Sequence, residues 1–196
     1  MCCPGHQLIA DGWSVLPLCW TDEAGDCACG RRHEPKNAGK VPLTRHGVND
    51  ATTDLAQVDI WSTRWPHANW GIACTGVTVV DIDDTDLAAL LKEDEELKQH
   101  HCMVSTPRRN GLHIYLKEDY PVQASRVLSS QDGRHLGELR RAGRYVVGPG
   151  SRIGSGHYRP ITNNATGRVE DAEDWLTEVL DRFGIALRRA PMQSVL

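Results

Sequence analysis

The chain is 196 residues long, 40% hydrophobic and 24% charged, which fits one globular domain with a substantial core. Its net charge of −4 argues against a general polyanion binder, and no apolar run is long enough to span a membrane. The opening Met1-Cys2-Cys3-Pro4-Gly5-His6 has no basic region and no apolar signal region, so no signal peptide and a cytoplasmic location are expected.

Residues 7–13 are expected to form a short amphipathic helix ending at Gly12, followed by a strand over residues 13–18. Residues 19–39 form a turn-rich insertion containing Cys27, Cys29 and His33. The chain has seven cysteines, an odd count that argues against a disulfide framework in a cytosolic setting. Cys27 and Cys29 are too close in sequence for an unstrained bridge, and thiolates with an imidazole are ligands for tetrahedral zinc. Cys19, at the mouth of the insertion, is the expected fourth ligand, with Cys102 and His46 in reserve. A loop of this length needs a staple, so structural Zn²⁺ is expected. Catalytic zinc is not, because no carboxylate stands at a matching spacing.

Thr53 or Asp54 is expected to cap a helix in which Leu55, Val58, Trp61 and Trp65 recur at helical spacing up to Pro66. Its tryptophans read as core rather than base-stacking platforms. Residues 69–74 form a strand whose last residue, Cys74, reads as a small core side chain. The Thr75-Gly76 turn then leads into a β-branched strand, Val77 to Val80. Asp81 and Asp83 follow, two residues apart, and the period of a strand puts both carboxylates on one face. Such carboxylates repel each other, and a divalent cation held with substrate phosphates relieves the repulsion. The alternative is an acidic turn in which Asp83, Asp84 or Asp86 caps the next helix.

One helix is expected over residues 84–100, with Leu87, Leu90, Leu91 and Leu97 on its apolar face. Strands over 102–106 and 112–116 should form a hairpin around residues 107–111, with His113 and Tyr115 sharing a face. Further strands are expected over 136–140 and 144–147, then a loop at 148–151 and a closing helix over 170–183. Residues 1–187 thus make one domain, and residues 188–196 read as a tail or linker. Between residues 101 and 168, eleven Lys and Arg stand against four Asp and Glu, whereas residues 81–100 are strongly acidic. A basic half facing an acidic strand suits a phosphate-rich substrate. Lys117, Arg126 and the hairpin residues Arg108, Arg109 and Arg141 read more simply as solvated charges.

The order of these parts is more specific than any one of them. The chain presents K-x-P-L-T-x-H-G-x-x-D-A-T-T-D, W-P-x-A-N-W-G-I-A-x-T-G and V-V-D-I-D. It then presents S-T-P-x-x-x-G-x-H-I-Y and G-E-L-R-R-x-G-x-Y-V-V-x-P-G-S. The series, over roughly residues 7–160, resembles the bifunctional primase/polymerase domains of the archaeo-eukaryotic primase superfamily found in phages and plasmids. The resemblance implies an α+β fold of two mixed modules, the catalytic one a mainly antiparallel sheet like that of the RNA-recognition motif, with flanking helices. It implies template-directed nucleotidyl transfer on single-stranded DNA from nucleoside triphosphates, with Mg²⁺ or Mn²⁺ as catalytic metals, in a bacterial host cell.

By the same resemblance, Asp81, Asp83 and Glu138 match the metal-holding acids and His113 matches the histidine that contacts the nucleotide's phosphates. Two positions depart from the family pattern. Glu138 stands where Asp is commoner, and Gly111 stands where the histidine motif usually has Ser. Arg140, two residues beyond Glu138, should share its face and reach a triphosphate. A replicative helicase, in another chain or a missing continuation, is an expected partner, because this sequence has no phosphate-loop motif of its own. The competing functions are a metal-dependent phosphodiesterase or nuclease and a non-catalytic replication module that binds DNA.

Overall fold

The apolar runs on either side of Thr75-Gly76 build two different sheets instead of one hairpin. In the computed structural model, which describes residues 4–119, 124–162 and 164–188, the chain begins with α1 (Pro4–Ala10), β1 (Val15–Leu18), α2 (Leu55–Arg64), β2 (Asn69–Ala73) and β3 (Thr78–Ile82). It continues with α3 (Thr85–Glu93), α4 (Glu95–His100), β4 (Cys102–Ser105), β5 (Leu112–Glu118), β6 (Arg126–Ser129) and β7 (His135–Arg140). The last elements are β8 (Tyr145–Val147), β9 (Arg152–Ile153), β10 (Gly156–His157), β11 (Arg159–Pro160), β12 (Gly167–Val169) and α5 (Ala172–Asp181).

The larger sheet runs β11-β4-β5-β3-β7-β6, and β12 pairs with β5 in parallel. Its other pairings are antiparallel, as are those of the small sheet β1-β2-β8. This is the mixed α+β, mostly antiparallel architecture expected from the sequence. The β-branched β3 lies between β5 and β7 at the centre of the larger sheet, where unbroken pairing on both edges suits such residues.

Strand alternation gives the larger sheet two distinct faces. Val80, Ile82, Leu112, Ile114, Leu116 and Leu139 form one apolar face, covered by Leu87 and Leu91 of α3, Leu97 of α4, and Leu176 and Leu180 of α5. The opposite face begins apolar, with Val79, Val104 and Tyr115 packed against Leu16, Ile72 and Val146 of the small sheet. The Trp13 ring lies 5.1 Å from that of Tyr115 in this second core. Further along the same strands the apolar cover stops, and the polar face at Asp81 and His113 opens.

Three expectations are corrected. The single helix expected over 84–100 is two, because Asp94 takes extended backbone angles and its side chain accepts the Leu97 N–H at 2.9 Å as the cap of α4. A carboxylate placed to cap competes with helix continuation. Within α3 the buried side chains are Leu87, Ala88 and Leu91, and Leu90 faces solvent. Leu55, expected on the apolar face of α2, is also exposed, because it opens the helix directly after the Asp54 cap. Arg141 is not a solvated hairpin arginine. It is 1% exposed, and its Nη2 donates to Glu118 Oε1 at 2.9 Å. Strands β6, β9, β10, β11 and β12 lie in stretches that carry no clear period in the sequence.

The start of the expected tail, Arg188, is tied back to β6 by its N–H to Ser129 O at 2.8 Å. Residues 189–196 lie outside the described residues.

Candidate active site

The site follows from register. In the antiparallel ladder, Asp81 of β3 stands opposite His113 of β5 on one side and Glu138 of β7 on the other. The period of two then places Arg140 on the face of Glu138. His113 Nε2 lies 3.4 Å from Asp81 Oδ1, and Arg140 Nε donates to Asp81 Oδ2 at 3.0 Å. The same guanidinium reaches Glu138 Oε2 at 3.0 Å through Nη2. One cation therefore bridges two carboxylates on neighbouring strands. Burial pushes the Asp81 carboxyl up, but His113 and Arg140 outweigh it and hold it down at about 2. Asp81 is thus a firmly ionised, largely buried carboxylate.

His113 is 4% exposed, and its Nδ1 has no hydrogen-bond partner among the described residues. A buried ring nitrogen without a partner carries a desolvation cost of about 1–3 kcal/mol, which a bound polar group would relieve.

Asp83 lies just past the end of β3 and is more open. Its N–H donates to Leu136 O at 3.0 Å, and its carboxylate lies 3.8 Å from His135 Nε2. The capping role falls to its neighbour Asp84, which accepts the Leu87 N–H at 2.9 Å. Asp81 and Glu138 meet across strands, while Asp83 sits at the strand end. Among the described residues the three acids do not form a set whose ligand oxygens all lie within 4.8 Å of one another.

A cavity of about 390 Å³ opens on this face, lined by Asp81, His113, Arg140 and Tyr158 with Lys36, Lys40, Arg108 and Arg144. It joins five cations to a single acid, and its size lies within the usual range for ligand pockets, about 300–1,000 Å³. Burial and Arg108 pull the Lys40 ammonium below its ordinary value, against the opposing pull of Asp81 and Asp83. Arg108 is aimed by a short turn in which Arg109 and Asn110 take left-handed angles. Lys92 fixes this turn by donating to Asn110 O at 2.6 Å. Sequence reading singled out Arg108 only weakly and did not single out Lys36 or Arg144; Lys40 was visible in the K-x-P motif without a role.

Two glycines keep the strands close here. A Cβ on Gly137, whose φ is +151°, would stand 1.9 Å from the Asp81 carbonyl oxygen. Gly137→Ala is therefore expected to destabilise the protein by at least about 2 kcal/mol and to displace Asp81, as urea unfolding will read. A Cβ on Gly111 would meet Ile82 O at 2.6 Å and Thr106 Oγ1 at 2.7 Å. The Ile82 carbonyl and the Thr106 hydroxyl thus occupy the space a side chain at Gly111 would need.

The insertion forms a second constellation. Thr21 pairs with Cys27, and Ala28 N–H donates to Trp20 O at 3.0 Å, which folds residues 20–28 into a hairpin. This brings Cys19, Cys27, Cys29 and His33 together with ligand atoms all within 4.8 Å of one another. Cys27 and Cys29 sulfurs lie 3.3 Å apart, and Cys29 Sγ lies 3.4 Å from His33 Nε2. Ligands about 2.3 Å from a tetrahedral ion stand about 3.8 Å apart, so the four atoms fit the spacing of a zinc site. Burial raises the Cys19 thiol to about 12 and also raises that of Cys29. Burial raises Cys27 as well, but hydrogen bonds from Cys29 and Cys19 outweigh it and lower that thiol, and a metal would hold all three as thiolates. The reserve ligands are not used: Cys102 lies on β4, and His46 pairs with Asp50 at 2.9 Å.

A larger cavity, about 710 Å³, lies beside the insertion and is lined by Arg31, Arg45 and Arg64 with Trp61 and Trp65. Among the described residues, no helix is long and apolar enough to cross a membrane.

No curated protein matches the chain. The family model described as bifunctional DNA primase/polymerase, N-terminal, matches residues 5–179, most of the chain and all of the site described above. The chain therefore belongs to the bifunctional DNA primase/polymerase family, a membership that implies a primase or polymerase role, binding of DNA and nucleotides, and dependence on metal.

Proposed function

We propose that this domain is a template-directed nucleotidyltransferase that makes primers on single-stranded DNA and extends them. The observation that carries the reading is the cavity in which Asp81, His113 and Arg140 meet Lys36, Lys40, Arg108 and Arg144. A nucleoside triphosphate is the ligand class that needs several cations beside a carboxylate able to hold a metal.

Asp81, Glu138 and Asp83 are the residues that would hold Mg²⁺ or Mn²⁺. Arg140, sitting between Asp81 and Glu138, marks that pair as a place demanding positive charge, and carboxylate oxygens are the donors these hard cations take. Ions bound there would supply the activation of the attacking 3′-hydroxyl and the neutralisation of the leaving pyrophosphate. The chain's own residues bind and orient. Arg140 can turn its remaining donors to the triphosphate, and His113 donates to a phosphate oxygen from a buried, fixed ring.

Cys19, Cys27, Cys29 and His33 would hold one Zn²⁺ that orders the insertion. The cleft lined by Arg31, Arg45 and Arg64, against Asp50 and Asp54, carries an excess of positive charge that suits the phosphates of the template strand, whose binding is then salt-dependent.

A second reading, a metal-dependent phosphodiesterase, draws on His135 beside Asp83, a base in reach of the acids. One assay separates the two. With a 5′-labelled primer annealed to a longer template, nucleotides and Mg²⁺ or Mn²⁺, the expected product is a lengthened primer. Shortening of the label with no lengthening would overturn the polymerase reading.

A further inference from the structure

We propose that the metal-binding insertion builds one wall of the nucleotide pocket, with Lys40 as a phosphate-binding residue whose position is set by the Cys19 corner of the metal cluster. This rests on the nucleotidyltransferase reading and assigns a further ligand-binding residue within it.

Three observations converge. First, the segment that leaves the cluster and returns to the body of the protein supplies Lys36, Asn37 and Lys40 to the cavity containing Asp81, His113 and Arg140. Lys36 is paired with Glu34. Among the described residues no carboxylate lies within ion-pair distance of Lys40, so its charge faces the cavity without a close countercharge.

Second, the next residue is clasped to a cluster ligand from both sides. Cys19 N–H donates to Val41 O at 2.8 Å, and Val41 N–H donates to Cys19 Sγ at 3.2 Å. An N–H directed at a sulfur stabilises the thiolate form that a metal ligand must take. A thiolate at Cys19, as a metal ligand would be, would therefore tighten the clasp beside Lys40.

Third, the backbone of this segment is pinned at two carbonyls. Asn69 Nδ2 donates to Gly39 O at 2.9 Å, and Tyr145 Oη donates to Lys40 O at 3.0 Å. Tyr145 itself lines the cavity. Gly39 has φ +74°, and a Cβ there would meet Ile153 Cδ1 at 2.3 Å, so the turn that presents Lys40 tolerates little change. A lysine fixed by three anchors, one of them a metal-ligand corner, is placed to bind rather than to solvate.

The test measures binding and needs no turnover. The full chain loaded with zinc is titrated, without template and in Mg²⁺, with a fluorescent nucleoside triphosphate and with the matching unphosphorylated nucleoside. Wild type, Lys40→Met and Lys40→Arg are compared, along with wild type stripped of zinc by a chelator and then reloaded. Lys40→Met should weaken triphosphate binding by about ten- to a hundredfold, the scale of one charge-assisted contact. Nucleoside binding and zinc content should stay unchanged, and Lys40→Arg should recover most of the loss. Stripping zinc should weaken triphosphate binding in wild type, reloading should restore it, and stripping should have little further effect on Lys40→Met.

Triphosphate affinity within about twofold of wild type in Lys40→Met would overturn the assignment of Lys40. Equal losses on stripping in wild type and Lys40→Met would overturn the link to the cluster. Wild type that binds no triphosphate at all would instead sink the nucleotidyltransferase reading on which the inference stands.

Discussion

Asp81→Asn is expected to lower nucleotide incorporation by about a thousandfold or more, the scale seen when preorganised charge is removed from a transfer site, and to leave the fold intact. Asparagine keeps the shape of the side chain and can still accept the Arg140 Nε–H now made at 3.0 Å. What it lacks is the negative charge, which in this carboxylate is held firmly by His113 and Arg140. Without it the central strand no longer offers an anionic ligand, and Glu138 remains as the only one of the two carboxylates that pairs its charge with Arg140. Circular dichroism and the melting temperature check the fold, and steady-state incorporation checks the rate. Asp83→Ala should act in the same direction, because the more open acid at the strand end is the third ligand in the proposed metal set. A rate within about tenfold of wild type in Asp81→Asn would place the chemistry elsewhere.

Arg141→Met should be the most destabilising of the changes considered, by about 3–5 kcal/mol near neutral pH. The side chains of Arg141 and Glu118 are 1% and 8% exposed, and the pair is closed by Nη2–H to Oε1 at 2.9 Å and Nε–H to Oε2 at 3.2 Å. Glu118 also accepts hydrogen bonds from the Thr78 hydroxyl and the Ala172 N–H, so it ties β3 and α5 to the end of β5. Removing the arginine leaves a buried carboxylate short of its counterion. Against stabilities of about 5–15 kcal/mol for whole proteins, that is a large share.

The pH dependence has a definite sign. Burial pushes the Glu118 carboxyl up, but Arg141, Thr78 and the Ala172 N–H outweigh it and lower it. In wild type the group therefore contributes stability above the unfolded value of about 4.3, and this is lost as pH falls through the lower folded value. In Arg141→Met the carboxyl protonates more readily, so the gap between variant and wild type should narrow below about pH 4. Urea unfolding of both proteins across that range reads the effect. A destabilisation near zero at neutral pH would mean the pair is dispensable.

What the sequence made legible was local or chemically singular. Asp81, His113, Glu138 and Arg140 share a face because strand alternation is a property of each strand, and a correct antiparallel register then brings the faces together. The Cys19, Cys27, Cys29 and His33 cluster of the insertion was legible because cysteine and histidine at that spacing have few other uses, and Cys19 stood at the loop's mouth. What stayed hidden depends on distant pairing. Arg141 looks solvated until Glu118, 23 residues away in sequence, is brought beneath it. Lys40 sits in a motif, but only the assembled fold places it in the pocket lining, with its backbone held by the clasp of Val41 on Cys19 and by the Tyr145 hydrogen bond. The break at Asp94 was hidden for another reason: a single aspartate can continue a helix face or cap a new one, and packing of Leu97 in the core decides between them.

The most direct measurement is synthesis on unprimed, circular single-stranded DNA, with labelled nucleoside triphosphates and Mg²⁺ or Mn²⁺, by wild type beside Asp81→Asn. Ribo- and deoxynucleotides are supplied in separate reactions. The account predicts labelled products of defined short length from wild type that grow with time, vanish in EDTA and are absent from Asp81→Asn. No product from wild type with either nucleotide class, or equal product from both proteins, would contradict it.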